Sequence, residues 1–186
     1  MADENVERYT NLADQFGARV EAAPDDAWDK ASPCEGWAAR DIVKHVTDTQ
    51  RRITWVVKGN EGDPPPASTD DPKALWGESY AAFKDALATP GALERNVPGP
   101  MGEMPAAMFI GRILSSDVLV HTWDLARAVG GDEKLDATAV TQSFSGLKPM
   151  DAMIRQPGIF GAKVDPAADA DEQEQLLNFL GRVTRP

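Results

Sequence analysis

The chain contains two histidines, His45 and His121, and both lie in segments with helical periodicity. Asp117 precedes His121 by four residues, so in a helix the two side chains project from the same face. Imidazole nitrogens combined with carboxylate oxygens are donor sets that bind zinc, nickel and other first-row divalent ions. Because Cys34 is the single cysteine, a cysteine-rich zinc site cannot be built. Any metal site in this sequence must therefore combine histidine with carboxylates.

The residues around these side chains predict two long helices that would carry them. On the helix predicted over residues 105–129, one arc holds Ala107, Ile110, Ile113, Leu114, Asp117, His121, Asp124, Leu125 and Ala128. The opposite side holds Arg112, Ser115, Thr122 and Ala126. On the helix predicted over residues 38–57, His45 shares a face with Ala38, Ile42, Thr49 and Val56, while Lys44, Thr47 and Arg51 point outward. An unpaired carboxylate on the apolar arc is costly, so Asp117 needs a partner, and a cation is the obvious one.

This pattern fits two interpretations. Each histidine could be a hydrogen-bonded core residue, and Asp117 could simply hydrogen-bond to His121 within one helix. Alternatively, His45, Asp117 and His121 bind one divalent ion between facing helices, which is how helical bundles build metal sites. Asp124, one turn beyond His121, would then orient a ligand imidazole or act as a fourth ligand, and we favour the orienting role. Periodicity alone leaves the choice between these interpretations open.

Other residues near the two helices could also take part in chemistry. Cys34 precedes the start of the second helix, where the helix dipole favours a thiolate. A packed, structural cysteine is the interpretation that we favour for it. Arg40, Arg52 and Arg127 could hold an anionic substrate, but we favour surface or salt-bridge roles for all three. Trp37 and Trp123 are predicted to be packing anchors.

The rest of the chain predicts an all-α helical bundle. Apolar periodicity predicts helices over residues 5–23, 38–57, 72–88, 105–129, 136–155 and 171–180, the fifth of them broken or kinked at Gly146 and Pro149. Residues 157–168 look irregular or briefly extended, and no segment shows sustained period-two alternation. We expect four main helices plus short C-terminal helices in a single domain over residues 1–186. The loops at 60–72 and 89–104 are long enough to permit a crossover connection.

Composition restricts the partners. The net charge of −11 and the pI near 4.6 disfavour nucleic acid and anionic membranes. No apolar run approaches the length of a membrane span, and the acidic N-terminus does not resemble a signal peptide. The single cysteine fits a reducing compartment. We therefore expect a cytoplasmic protein, monomeric or homodimeric, whose partners are small molecules.

Three stretches of the sequence resemble a known family. Ser32–Trp37, followed by Arg40–Val43 and His45, resembles the PC-x-GW-x-x-RD-hydrophobic-hydrophobic-x-H stretch of actinobacterial DinB-like proteins related to the mycothiol-dependent maleylpyruvate isomerase. Asp117–Ala128 resembles their acid-x-x-x-H-x-WD-LARA stretch. The tail, from Gly158-Ile159-Phe160-Gly161 through Leu176-Leu177 to Gly181-Arg182, is also similar. Together these stretches cover most of the chain in the family's order.

The resemblance implies a bundle around one divalent metal ion, with His45, Asp117 and His121 as its ligands. Zinc is the expected ion, with nickel or another first-row ion as alternatives, and mycothiol is implied as a co-substrate. Two positions depart from the family pattern. Asp117 stands where the isomerase has Glu, which is one methylene longer. Ala38 stands where relatives commonly carry Ser or Thr, so Asp41 is left to favour the start of the helix through the dipole.

We therefore expect a divalent-metal-dependent enzyme of the thiol-dependent transferase or isomerase type, acting on a small thiol and an electrophilic substrate. The alternative is a non-catalytic metal- and small-ligand-binding or stress-response protein on the same scaffold. We do not expect the additional C-terminal domain of the isomerase in a chain of this length. The specific isomerase activity is accordingly open.

Overall fold

Helices form at nearly all positions where apolar residues recur at helical spacing. The computed structural model describes residues 2–99, 102–155 and 159–185. Its helices are α1 (Ala2–Ala22), α2 (Ala39–Val57), α3 (Pro72–Leu87), α4 (Ala106–Phe109), α5 (Ser115–Val129), α6 (Ala137–Leu147), α7 (Asp151–Ile154) and α8 (Glu172–Phe179). A π-helical turn over Ile110–Leu114 joins α4 to α5, and a 3₁₀ turn over Lys148–Met150 joins α6 to α7. The predicted mainly helical fold is confirmed.

Local sequence signals set the helix ends. Three helices begin at a capping aspartate whose carboxylate accepts a hydrogen bond from a backbone N–H three residues later: Asp71, Asp136 and Asp171. Gly130 ends α5 in the left-handed conformation, with φ of 75°. The predicted break in the fifth helix occurs at Pro149, which lies in the 3₁₀ turn, whereas Gly146 remains inside α6.

The bundle consists of α1, α2, α3 and α5, and it contains crossovers. Both α1 and α2 pack against α3 and α5. Helices α1 and α2 therefore lie at opposite corners, as do α3 and α5. The connections over residues 23–38 and 88–105 consequently cross the bundle. Of the two loops predicted to permit a crossover, the loop at 89–104 carries one, whereas the loop at 60–72 joins the neighbouring helices α2 and α3.

A polar network lies inside the bundle where α1, α2 and α3 meet. Gln50 Nε2 donates to the Tyr9 hydroxyl at 2.7 Å, and the Ser79 hydroxyl donates to Gln50 Oε1 at 3.0 Å. Thr47, predicted to point outward, is instead buried. The prediction was wrong because α3 covers this side of α2, and the Thr47 hydroxyl is satisfied by the Val43 carbonyl at 2.9 Å.

Helix α5 is buried on almost all sides. Of the residues predicted to lie opposite the apolar arc, Ser115, Thr122 and Ala126 are all buried, whereas Arg112 is exposed. Helix α6 packs against α5, and Arg127 Nη2 donates to the Thr184 carbonyl in the tail after α8. The Thr122 hydroxyl donates to the Val118 carbonyl at 2.7 Å, which makes its burial tolerable. The apolar periodicity of α5 could not predict that α6 and the C-terminal tail cover this side of the helix.

A short antiparallel pair of strands lies in a segment predicted to be an irregular connector. Strands β1 (Asn96–Gly99) and β2 (Gly102–Pro105) pair with Asn96 opposite Pro105 and Val97 opposite Met104. Val97 is fully buried and packs into the core. Four-residue strands are too short for period-two alternation to be recognised, so they could not be predicted from apolar periodicity.

The remaining described residues contain few further regular elements. Residues 159–168 are irregular, as predicted, whereas residues 157 and 158 of that segment, including Gly158 of the tail motif, lie outside the described residues. Across the described parts of the chain, no helix combines the length and apolarity that crossing a membrane requires.

Candidate metal centre

His45, Asp117 and His121 meet where α2 packs against α5. His45 Nε2 lies 3.3 Å from Asp117 Oδ1, and His121 Nε2 lies 3.5 Å from the same oxygen. One potential ligand atom from each residue lies within 4.8 Å of the other two. The structure thus brings together all three residues that the sequence predicted as ligands. One carboxylate oxygen faces two imidazole nitrogens, an arrangement that a cation or a proton can bridge.

The position of His45 depends on how α2 begins. Ala38, the residue before the helix, has no side-chain oxygen, but its own N–H donates to Asp41 Oδ2 at 2.8 Å. The predicted contribution of Asp41 to the helix start is therefore a direct hydrogen bond as well as a favourable charge at the N-terminus. His45 follows one turn later on the side that faces α5.

The charges of the site stabilise one another. Burial by itself raises the pKa of Asp117, but His121 and His45 outweigh burial and hold this pKa well below its usual range. Burial lowers the pKa of His121, whereas Asp117 and Asp124 raise it, and the net result lies well above the ordinary value. The ligand form of histidine is neutral, so binding of a metal ion here would compete with protonation of His121.

The site opens to solvent on the side of His45. The side chain of His45 is 37% exposed and that of Asp117 26%, whereas that of His121 is 8% exposed. The Trp37 ring lies beside both imidazoles, with centroid distances of 5.1 Å to His45 and 5.9 Å to His121. Trp37, predicted as a packing anchor, is therefore also a wall of the site. A small molecule can reach the His45–Asp117 side.

A second group of potential ligands shares His121. Cys34, His121 and Asp124 also place one ligand atom each within 4.8 Å of one another. In this group the guanidinium of Arg182 already supplies the cation, with Nη2 2.7 Å from Asp124 Oδ2 and Nε 3.2 Å from Oδ1. Within the described residues, the ion pairs of Asp117 are with the two histidines alone. The group around Asp117 is therefore the better candidate for a metal site.

Asp124 contacts His121 at Nδ1, whereas the other ring nitrogen, Nε2, faces Asp117. Asp124 Oδ2 lies 3.0 Å from His121 Nδ1, which is the contact expected of an acceptor that orients the imidazole. Burial raises the pKa of Asp124, but hydrogen bonds from His121 and Arg182 lower it to about 2. Cys34 Sγ donates to the same carboxylate at 3.3 Å. Cys34 therefore belongs to the surroundings of the site, which sequence reasoning had not placed there.

Two of the three arginines near the ligand helices, Arg40 and Arg127, form salt bridges, which is the role favoured from the sequence. Arg40 pairs with Asp29 at 2.8 Å, and Arg127 pairs with Glu133 and lies over the Trp123 ring. A cavity of about 610 Å³ between α2 and the following loop is lined by Arg40, Arg52 and other residues of both charges. Nothing in these contacts assigns the three arginines to a substrate of the metal centre.

Comparison with known proteins assigns the chain to a protein family. The profile of the family described as the mycothiol maleylpyruvate isomerase N-terminal domain matches residues 9–126. The chain belongs to this family. The predicted resemblance is thus confirmed, and the matched segment includes His45, Asp117, His121 and Asp124 but ends before Arg182.

The chain is also similar to a curated protein over nearly its whole length and to two solved structures. An uncharacterised protein of Mycobacterium tuberculosis, found in two strains, is 30% identical over 180 residues, which cover 95% of this chain and 97% of the relative. Two crystal structures of the mycothiol-dependent maleylpyruvate isomerase, one of them of a histidine-to-alanine mutant, superpose with TM-scores of 0.61 and 0.59. Their identities are 14% and 16%, and the match covers 78% of this chain and 68% of theirs. At such identity the likeness concerns the fold.

Proposed function

We propose that this chain binds one divalent metal ion and uses it to activate mycothiol, or a similar low-molecular-weight thiol, for addition to an electrophile. The observation that carries the proposal is the convergence of His45, Asp117 and His121, with ligand atoms within 4.8 Å of one another in a partly open site. Membership of the mycothiol maleylpyruvate isomerase N-terminal domain family supports the choice of thiol.

The donor set fits a first-row divalent ion. Donors that each lie about 2.0–2.1 Å from a tetrahedral ion are about 3.3 Å apart. The distances of 3.3 and 3.5 Å from Asp117 Oδ1 to the two imidazole nitrogens agree with that separation. Two histidines and one carboxylate leave at least one position open, as in catalytic zinc sites. Zinc is the ion that we propose, with nickel or another first-row ion as alternatives.

The protein groups around the ion have separate roles. A bound divalent ion polarises a carbonyl as a Lewis acid and favours the deprotonated form of a thiol. Asp117 cancels one of its two charges, while His45 and His121 add none, so the site retains a positive charge that attracts a thiolate. Trp37 covers the imidazoles and restricts water on its side of the site.

The proposed reaction is the addition of sulfur to an electrophilic carbon. The thiol loses its proton to solvent or to a base, and its sulfur forms a bond to one carbon of a double bond conjugated to a carbonyl. The π electron pair of that double bond moves toward the carbonyl oxygen and gives an enolate. After rotation about the resulting single bond, the enolate electron pair re-forms the double bond in the other geometry and expels the same thiolate. The thiolate then takes up a proton, which regenerates the thiol. If the electrophile instead carries a leaving group, departure of that group gives S-transfer.

Metal content tests the ligand assignment. Elemental analysis of the purified protein should give about one first-row ion per chain, and His45→Ala and His121→Ala should each lose most of it. Asp48→Ala is the matched control because Asp48 lies on α2 one turn from His45 and pairs only with surface cations among the described residues. Full metal content in either histidine variant would contradict the assignment.

Turnover separates an enzyme from a binding protein. The metal-loaded protein is offered mycothiol, or a simpler thiol, with a maleyl-type ketoacid or a chloro-dinitroarene. We expect a rate above that of the free thiol that is lost in His121→Ala and retained in Asp48→Ala. A rate equal to that of the free thiol, together with no thiol binding by calorimetry, would overturn the thiol-dependent activity in favour of a non-catalytic metal-binding protein.

A further inference from the structure

Arg182 is a buried arginine in the tail that follows α8. Its guanidinium lies beside Asp124, the carboxylate that contacts His121 Nδ1. Arg182 is 8% exposed, and its guanidinium contacts both carboxylate oxygens of Asp124, at 2.7 and 3.2 Å. Asp124 itself is fully buried. Asp124 in turn contacts His121 Nδ1 at 3.0 Å. A chain of contacts therefore runs from the C-terminal segment to a proposed metal ligand.

We propose that Arg182 is a positioning residue of the metal site, which fixes Asp124 so that His121 presents Nε2 to the ion. This inference rests on the proposed function, because it assigns to Arg182 an effect on the binding of that ion. Arg182 lies beyond the segment matched by the family profile, and the resemblance of the tail to the family assigns it no role.

The first step of the argument is the charge of Asp124. A fully buried carboxylate is costly unless it is paired, and a forked guanidinium is the partner that can satisfy both oxygens at once. His121 supplies one hydrogen bond, and Cys34 Sγ supplies a weaker one at 3.3 Å. Of these partners, Arg182 alone contacts both oxygens. Removal of the guanidinium therefore leaves the carboxylate free to turn away from His121.

The second step concerns the orientation of the imidazole. An acceptor on Nδ1 selects the tautomer with its proton on Nδ1 and leaves Nε2 unprotonated as a metal ligand. His121 Nε2 is the nitrogen that faces Asp117 Oδ1, at 3.5 Å. The direction of the Asp124 carboxylate thus determines which nitrogen His121 can offer.

The third step is that Arg182 is itself held in place. Its Nη1 donates to the Leu180 carbonyl at 3.0 Å, and Asn178 Nδ2 donates to the Arg182 carbonyl at 2.9 Å. Gly181, with φ of 85°, turns the chain between α8 and Arg182, and a Cβ there would lie 2.8 Å from the Ala162 carbonyl oxygen. The guanidinium is therefore preorganised by the tail before it meets Asp124.

The experiment measures Zn²⁺ affinity by competition with a chromogenic chelator. We expect Arg182→Ala to bind Zn²⁺ about 10–100-fold more weakly than the wild type, the usual effect of losing a group that orients a ligand. Arg185→Ala is the matched control because Arg185 lies in the same tail but pairs with Asp169 and Glu174 at the surface, and its affinity should remain unchanged. A repeat in a Cys34→Ala background prevents the thiol from acting as a substitute ligand.

Two further measurements distinguish positioning from a structural role. If Arg182 acts through Asp124, Arg182→Ala should cost little additional affinity in an Asp124→Asn background, whereas independent effects would add. In the metal-free protein, nitrogen NMR of His121 should show Nδ1 protonated and hydrogen-bonded in the wild type and altered in Arg182→Ala. Arg182→Lys, which keeps the charge without the fork, should have an intermediate affinity and serves if Arg182→Ala does not fold.

Wild-type Zn²⁺ affinity in a folded Arg182→Ala protein, or additive effects in the double variant, would overturn the inference. If the wild type itself binds no metal, the proposed function fails, and the NMR comparison then decides the inference alone. An unchanged His121 signal in Arg182→Ala would reject it, and an altered signal would support the orienting contact.

Discussion

At the scale of single residues, the Asp117 carboxylate between two imidazoles is the feature on which cation binding at the candidate site depends most. Its Oδ1 is the common neighbour of His45 Nε2 and His121 Nε2, and its charge raises the affinity of the site for any cation. The shorter side chain of Asp, compared with the Glu implied by the family resemblance, places this oxygen nearer to the axis of α5.

Substitutions of Asp117 should separate the effect of its charge on metal binding from the effect of its side-chain length. Asp117→Asn keeps the size but removes the charge, so we expect it to lose most of its bound metal. Asp117→Glu keeps the charge and restores the length implied for the family, so we expect about one ion per chain, as in the wild type. Elemental analysis after identical purification checks both variants, and full occupancy in Asp117→Asn would show that the charge is dispensable.

The sequence predicted the three candidate ligands and the orienting acceptor Asp124, but not Arg182 or Cys34 beside Asp124, for a physical reason. Spacing of i and i+4 places Asp117 and His121 on one helix face, so their proximity is local information. The contact between Asp124 and Arg182 joins residues 58 positions apart, through a tail whose position depends on the packing of α8. Only the resemblance of the tail to the family pointed toward Arg182, and it assigned the residue no role.

At the scale of elements, the start of α2 lacks an N-cap side chain that could accept a backbone hydrogen bond. Ala38 has the extended backbone of an N-cap, with φ of −89° and ψ of 171°, but no side-chain oxygen to accept the N–H of Asp41. Ala38→Ser should supply that acceptor and complete a capping box with Asp41, which raises the free energy of unfolding by about 1 kcal/mol. Denaturant titration measures the change, and a destabilised variant would contradict it.

The π-helical turn between α4 and α5 is packed closely against α1. A Cβ on Gly111 would lie 2.3 Å from Asn5 Cγ and 2.8 Å from Asn5 Cβ, in the region where Asn5 Nδ2 donates to the Ala107 carbonyl. Gly111→Ala should therefore lower the free energy of unfolding by about 1–3 kcal/mol.

Gly77→Ala is the matched control for this substitution. Gly77 lies within α3, and a Cβ there meets no atom within 4 Å, so alanine should stabilise the helix by about 0.5–1 kcal/mol. Urea titrations of both variants give the comparison. Equal effects of the two substitutions would show that α1 does not restrict the π turn.

At the scale of the whole molecule, the bundle has an extensive apolar core apart from the proposed metal site. The buried apolar residues come from all four bundle helices and from α6 and α8 as well. This differs from a zinc finger, in which the ion replaces a core. We therefore expect the chain to unfold in a single cooperative transition as one domain, with or without the ion.

Removal of the ion should lower the melting temperature without loss of helicity. An ion present at about 100 times its dissociation constant stabilises the folded state by about 2.7 kcal/mol. For a domain of this size, that energy corresponds to a shift of about 5–10 °C. Circular dichroism melts with and without chelator measure the shift, with His121→Ala as the control that should not respond. A chain that unfolds in chelator at room temperature would show that the ion is structural.

The π-helical turn also has a consequence for changes in chain length. Its hydrogen bonds span one residue more than those of an α-helix, so the turn accommodates an additional residue locally. A single-codon deletion within residues 110–114 could convert the turn to α-helix and leave Asp117 and His121 facing α2. The same deletion between Asp117 and His121 would rotate one side chain relative to the other by about 100°. We therefore expect that a one-residue deletion within residues 110–114 leaves a folded protein with Asp117 and His121 on one helix face. A one-residue deletion between Asp117 and His121 should separate the two side chains.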